Sequence, residues 1–234
     1  MFLVKSLLSG NYSLHFWQLN TAPGGAIWEA ARRGPHYAYE NVTVAIWEEL
    51  PRFYFPNQFL GPFGQYFRVA REAYRNVLPQ GPHTCKPDVV LVKVQVTLFP
   101  YTANNRDVLW VECKAPNANA PHAWHDLVDE AVSRLHQAHP TRRVYLVLAF
   151  GINWIPLIWD PVPPLLNPVG SPLFIRSNAG GSWPVDRRLH IIPGHMLPGQ
   201  RFIQQMVNGP ILIDPTFAFS LDFWTLDMAG RPAF

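Results

Sequence analysis

The chain has 234 residues, enough for one domain with a substantial core and too few for two large ones. Hydrophobic residues make up 48% of the sequence and charged residues only 15%, so the composition excludes a disordered chain. The formal net charge of +3 is compatible with a polyanionic partner, but it is smaller than the concentrated positive charge typical of nucleic-acid-binding proteins.

The cysteines and the hydropathy pattern indicate the compartment. Cys85 and Cys113 are too few for a disulfide framework or a zinc site of their own, which favours a reducing environment. No uncharged apolar stretch approaches the roughly 20 residues that span a bilayer. The sequence therefore predicts an intracellular protein, nuclear or cytoplasmic, without a membrane partner.

The first third of the chain is predicted to be helical after an arm. Residues 1–38 read as an irregular arm with one or two short elements. A helix is predicted from Tyr39 to Pro51, because apolar residues recur there at spacing three. A second helix is predicted from Pro62 to about Val77, with Phe67 and Ala70 on its apolar stripe.

The middle of the chain changes to the period of a strand. Valines alternate with polar residues from Asp88 to Phe99, and a second strand is predicted from Val108 to Lys114. The turn-rich stretch between them, residues 100–107, predicts an antiparallel hairpin. Asp107 is interpreted as a turn residue rather than a ligand.

A helix, two strands and a proline-rich region complete the chain. The helix is predicted from Pro121 to His139, and the apolar runs 143–150 and 153–159 predict neighbouring strands. Residues 160–215 hold ten of the 24 prolines, which predicts long loops with a short strand near 189–192 and a short helix near 200–207. The pattern predicts a single domain with a core over 39–160 and a proline-rich C-terminal extension over 161–234.

Chemistry is concentrated where the two predicted hairpin strands come together. Alternation places Glu112 and Lys114 on the strand face that also carries Val108 and Trp110. Charged side chains on an otherwise apolar face are unfavourable to bury, and such local conflicts are expected at functional sites. Asp88 begins the partner strand and is predicted to approach Glu112.

These residues are a chemically coherent set for metal-assisted hydrolysis. Magnesium prefers carboxylate oxygens, so Asp88 and Glu112 are predicted metal ligands, with the backbone carbonyl of Cys113 as a third. The cation would lower the pKa of a bound water. Lys114 would orient or deprotonate that water, or stabilise charge on the phosphate oxygens. Cys113 itself lies on the opposite strand face and is expected to be a small buried hydrophobe.

The Pro87-Asp88 pair and the Glu112-Cys113-Lys114 triplet, with 24 positions from Asp88 to Glu112, resemble the PD-(D/E)xK phosphodiesterase superfamily. The resemblance covers roughly residues 39–160. It implies an α/β protein with a restriction-endonuclease-like core, that is, a mixed central β-sheet flanked by helices. It also implies a nuclease that uses Mg²⁺ or Mn²⁺ to cleave DNA in preference to RNA, and it is compatible with a homodimer.

Two further residues are candidates for the site. Many members of the superfamily carry a glutamate on the first helix, and Glu40 fits because it shares a face with Val44 and Trp47. Its alternative role is that of an N-terminal carboxylate stabilised by the helix dipole. Arg134, at the edge of the apolar stripe of its helix, is a candidate phosphate ligand, with an ordinary exposed arginine as the alternative. The histidines of the same helix lie too far apart to form one zinc site.

Two rival interpretations stay open. In one, the chain keeps the nuclease fold without turnover and binds nucleic acid or a protein partner. In the other the motif is coincidental, with Asp88 as a strand cap and Glu112 and Lys114 as edge charges that discourage aggregation.

Overall fold

The computed structural model describes residues 15–55, 57, 65–71, 86–98, 101–161, 174–176, 182–184, 189–191 and 211–212. This part of the chain contains the helices α1 (Ala22–Arg33), α2 (Asn41–Tyr54) and α3 (Pro121–Ala138), and a short 3₁₀ turn (Pro116–Ala118). Its strands are β1 (Gln65–Arg71), β2 (Val89–Leu98), β3 (Tyr101–Lys114), β4 (Val144–Phe150), β5 (Asn153–Trp159), β6 (Phe174–Arg176), β7 (Ser182–Pro184), β8 (Leu189–Ile191) and β9 (Ile211–Leu212). None of the described helices is long and apolar enough to cross a bilayer.

Seven of the strands form one mixed sheet. They lie in the order β1-β2-β3-β4-β5-β8, and β9 also pairs with β5. β3 and β4 run parallel, because α3 connects them, and the other neighbouring pairs are antiparallel. The predicted α/β class, a mixed sheet flanked by helices, is confirmed.

Helices cover both faces of the sheet, and each face has its own apolar cluster. On one side, which we call the α1–α2 face, Ile46 of α2 packs with Leu91 and Val111. On the other side, the α3 face, Leu127 of α3 packs with Trp110. β4 is buried along its whole length, as its apolar run predicted for a strand covered on both sides.

The predicted hairpin is present, and its second strand is longer than expected. β3 begins at Tyr101, so most of the predicted connection is strand, and Asp107 is a buried strand residue rather than a turn residue. The register shifts between Leu91 and Val92, which leaves Val108 as an extra residue in β3. Val108 therefore packs against the α1–α2 cluster, and the prediction that it shares a face with Trp110 and Glu112 was wrong.

The helix predicted from Pro62 is wrong over the part that the structure describes. Residues 65–71 form β1, which pairs with β2 in antiparallel register. Phe67 and Val69 pack towards the α1–α2 cluster, whereas Tyr66 and Ala70 pack towards the α3 cluster. This alternation is that of a strand, although Phe67 and Ala70 also match a helical spacing of three.

The N-terminal region is more regular than predicted. α1 is a three-turn helix, capped by the Thr21 hydroxyl, which accepts a hydrogen bond from Gly24 N at 3.1 Å. α2 continues through Pro51 to Tyr54 instead of stopping at that proline. α3, β4, β5 and the short strand at 189–191 lie where they were predicted. The helix predicted near 200–207 lies outside the described residues.

Candidate active site

The hairpin register brings Asp88 to the end of β3. Val89 pairs with Val111, so the next position outward on each antiparallel strand sets Asp88 opposite Glu112. The Cys113 N–H donates a hydrogen bond to Asp88 Oδ2 at 2.6 Å. The two halves of the predicted motif therefore meet. Cys113 contributes through this N–H, its side chain is buried as predicted, and a metal-binding role of its carbonyl stays a prediction.

Glu112 is a buried carboxylate on the α3 face. Its side chain is only 1% exposed, and Arg134 of α3 donates a hydrogen bond to Oε2 at 2.5 Å. The other oxygen, Oε1, is buried and has no hydrogen-bond partner among the described residues. A buried carboxyl oxygen without a partner is costly, and it calls for a functional explanation.

A second acidic residue of α3 completes the surroundings of the lysine. Glu130 Oε2 lies 3.0 Å from Lys114 Nζ, and Glu130 Oε1 accepts a hydrogen bond from Arg134. Sequence reasoning noted Glu130 only as lying on the same flank of the helix as Arg134. The signal that was available is the four-residue spacing of these two side chains, which places them on one helix face.

Glu40 lies at the N-terminus of α2, in the N-cap position, without a side-chain capping bond. Burial raises the pKa of Glu40, and the charge of Asp88 raises it further, while Lys114 opposes the shift. Glu40 is thus close enough to interact electrostatically with Asp88 and Lys114. Its alternative role, as a carboxylate favoured by the helix dipole, is compatible with the same position.

The site contains more negative than positive charge. Six ionisable side chains interact here, which we call the charged cluster: Glu40, Asp88, Glu112, Glu130, Lys114 and Arg134. With all six ionised, four carboxylates face two cations, and the formal charge is −2. Burial raises the pKa of Asp88 against the effect of the Cys113 N–H bond. Burial raises the pKa of Glu112 well above its usual value of 4.5, against the opposing charge of Arg134.

Thr43 holds the backbone around the lysine. This fully buried residue of α2 donates a hydrogen bond from its hydroxyl to Lys114 O at 2.8 Å and accepts one from Gly151 N at 2.8 Å. One side chain thereby fixes the ends of the parallel strands β3 and β4. Sequence reasoning missed Thr43, although its spacing of four from Trp47 places it on the buried face of the helix.

The residues present fit a hard divalent cation. The described part of the chain holds no group of three His, Cys, Asp or Glu side chains set around one ion position. Mg²⁺ needs only one or two carboxylates, because it keeps several waters. Asp88 and Glu112 would supply these carboxylates, and the unpartnered Glu112 Oε1 and the −2 formal charge of the six ionised groups are compatible with a cation of charge +2.

A second polar group lies near the middle of β3. Asp107 Oδ2 accepts a hydrogen bond from Trp110 Nε1 at 3.0 Å and lies 3.1 Å from His139 Nε2. The backbone carbonyl of His139 in turn accepts a hydrogen bond from Trp159 Nε1 at 2.8 Å. These groups are buried and are hydrogen-bond partners of one another, so we interpret their role as structural.

Comparison of the chain with protein-family models, with curated proteins and with solved structures finds no match.

Proposed function

We propose that this chain is a metal-dependent nuclease that hydrolyses phosphodiester bonds in DNA, with Asp88 and Glu112 as metal ligands. The observation that carries the proposal is the buried Glu112 Oε1, which has no partner among the described residues. This oxygen also lies in a cluster whose formal charge is −2 when all six groups are ionised. A divalent cation would satisfy this oxygen and balance that charge.

The finer fold belongs to the same proposal. The order helix α2, hairpin β2–β3, helix α3 and strand β4 is the order expected of a restriction-endonuclease-like core. The hairpin carries Asp88 and Glu112, and the two helix layers contribute Glu40 and Arg134 to the same end of the sheet. This arrangement supports a catalytic rather than a coincidental reading of the motif.

The protonation state of Lys114 determines which of its expected roles it can have. Burial favours the neutral amine, but the carboxylates of Glu130, Glu40 and Asp88 outweigh burial and raise the pKa of Lys114. A protonated Lys114 donates a hydrogen bond to the phosphate or to the attacking water and does not remove a proton. The metal, when bound, supplies a Lewis acid and a more acidic water.

Arg134 and Glu130 then act as positioning residues. Arg134 bonds to both glutamates, so it sets the orientation of Glu112 from α3. Glu130 holds the Lys114 ammonium 3.0 Å away. When a phosphate arrives, Arg134 has a planar guanidinium suited to a bidentate contact.

The decisive experiment compares wild type with Lys114→Ala in Mg²⁺- or Mn²⁺-dependent cleavage of single- and double-stranded DNA and RNA. Cleavage by the variant should fall by roughly 10²- to 10⁴-fold, the usual contribution of a positioned proton donor. Arg52→Ala is the matched control, because Arg52 is also paired with glutamates but lies on the last turn of α2. Circular dichroism checks that each variant is folded.

Equal cleavage by Lys114→Ala and wild type would refute the role of the lysine. Absence of cleavage by folded wild type, with metal-insensitive binding of nucleic acid, would favour the second candidate, a nuclease-fold module without turnover. The observation that favours this candidate is the Arg134–Glu112 ion pair, which already occupies one of the two Glu112 oxygens.

A further inference from the structure

The outer half of the β2–β3 hairpin extends past the end of β4. β4 pairs with β3 only from Leu109 onward, so residues 101–107 pair with β2 alone among the described strands. Residues 102–106 are all exposed. We call residues 93–98 and 101–106 the hairpin arm.

One face of the hairpin arm carries two polar cross-strand pairs. Lys93 lies opposite Arg106, and Gln95 lies opposite Asn104. These pairs continue the alternation of Leu91, so they lie on the α1–α2 face of the sheet. Gln95, Asn104 and Arg106 are exposed, and Lys93 is half-buried. We call these four residues the basic face.

The basic face contains an unbalanced positive charge. Like charges directly opposite on neighbouring strands are destabilising, and Lys93 and Arg106 are such a pair. Burial lowers the pKa of Lys93, and the charge of Arg106 lowers it further. Residues 89–106 contain no aspartate or glutamate. Such a conflict between local charges is expected where an anion binds.

We propose that the basic face binds duplex DNA, with Lys93 and Arg106 on backbone phosphates and Gln95 and Asn104 at base edges in the major groove. β1 pairs with β2 as far as Gln95, so Lys93 and Gln95 lie on the middle one of three strands. Strands of a sheet can lie in the major groove, and the amides of Gln and Asn match the donor and acceptor pattern of adenine. The deep, narrow major groove of A-form RNA does not admit the arm. The inference rests on the proposed function in one respect only, namely that the polyanion bound is DNA.

The basic face is separate from the charged cluster. Lys93 lies five residues along β2 from Asp88, which corresponds to about 17 Å at roughly 3.3 Å per residue. Binding at the hairpin arm and hydrolysis at the cluster are therefore testable one without the other.

The test measures the affinity of the full chain for a labelled DNA duplex of about 20 base pairs by fluorescence anisotropy in EDTA, where a metal-dependent nuclease does not cleave. Wild type, Lys93→Ala/Arg106→Ala and Arg68→Ala are compared between about 50 and 200 mM salt. Loss of two phosphate contacts should shrink the salt-dependent loss of affinity over this range by roughly tenfold. Arg68 is the matched control, an exposed arginine of β1 that pairs with Val92 and so lies on the α3 face.

The expected result is weaker, less salt-dependent binding by the double variant and unchanged binding by Arg68→Ala. Equal affinity and equal salt dependence of wild type and double variant would overturn the proposal, as would an absence of duplex binding by wild type. Tighter binding of an RNA duplex than of DNA would overturn the placement in the major groove. If the double variant loses affinity while wild type never cleaves, the basic face stands and the proposed nuclease activity fails.

Discussion

Two buried carboxylates on the α3 face of β3 have opposite surroundings. Asp107, near the middle of the strand, accepts a hydrogen bond from Trp110 and contacts His139, and all three side chains are buried. Glu112, near the end, shares one oxygen with Arg134, while its other oxygen has no partner among the described residues. The strand thus carries one satisfied and one unsatisfied acid.

The difference separates stability from function. A buried acid whose hydrogen bonds are complete stabilises the fold, because removing it leaves its donors buried without an acceptor. A buried acid with an open oxygen costs free energy unless a ligand completes it. The comparison predicts that these two residues respond in opposite ways to removal of their charge and to a divalent cation.

The largest effect is expected for Asp107→Ala. The substitution leaves the Trp110 indole N–H and His139 buried without their acceptor, so the free energy of unfolding should fall by about 3 kcal/mol. Urea denaturation measures it. Asp129→Ala, at an exposed aspartate of α3, is the control and should change stability by less than about 0.5 kcal/mol. A loss as small as that of the control would show that the Asp107 group is not structural.

Mg²⁺ should stabilise the wild-type protein, because an ion that binds only the folded state adds RT ln(1 + [L]/Kd) to stability. At one hundred times Kd the gain is about 2.7 kcal/mol, measured as a rise in Tm. Glu112→Gln should lose most of this gain, whereas Glu49→Gln, on α2 beside Arg52, should keep it. A full gain in Glu112→Gln would remove Glu112 from the metal site.

The smallest expected effect is on the pH dependence of stability without metal. Because the pKa of Glu112 is raised above 4.5 in the folded protein, the folded state binds more protons than the unfolded state just above that pH. Stability should therefore fall as pH rises through this window. Glu112→Gln lacks the titrating group, so its stability should fall less steeply. Denaturation of both proteins in EDTA at pH 5 and pH 8 checks the sign, and parallel curves would contradict it.

Local patterns predicted most of the central fold. The valine alternation of β2, the apolar run of β4 and the stripe of α3 are strong local signals, and each element lies where it was predicted. β1 was misread as a helix because its seven residues fit both periods, and only pairing with the distant β2 decides between them. α1 was missed although Thr21 and Pro23 give a capping signal.

The candidate site was predictable only in its sequence-local part. The approach of Asp88 to Glu112 follows from hairpin register, which alternation reveals. The contacts of Lys114 with Glu130 and with Thr43 depend on how α3 and α2 pack across the sheet ends. Spacing shows which side chains share a helix face, but it does not show where that face meets the sheet, so these contacts appear only in three dimensions.

The Thr43 hydroxyl limits how this chain can evolve. It must donate to one backbone group, Lys114 O, and accept from another, Gly151 N–H, in a fully buried position. Among side chains of that size only serine and threonine do both strongly, since the cysteine thiol is a weak donor and acceptor and valine has the shape but no polar atom. Position 43 is therefore a place where drift is confined to two residues. A descendant that departed from them would lose the alignment of the strand ends before it lost any residue of the charged cluster.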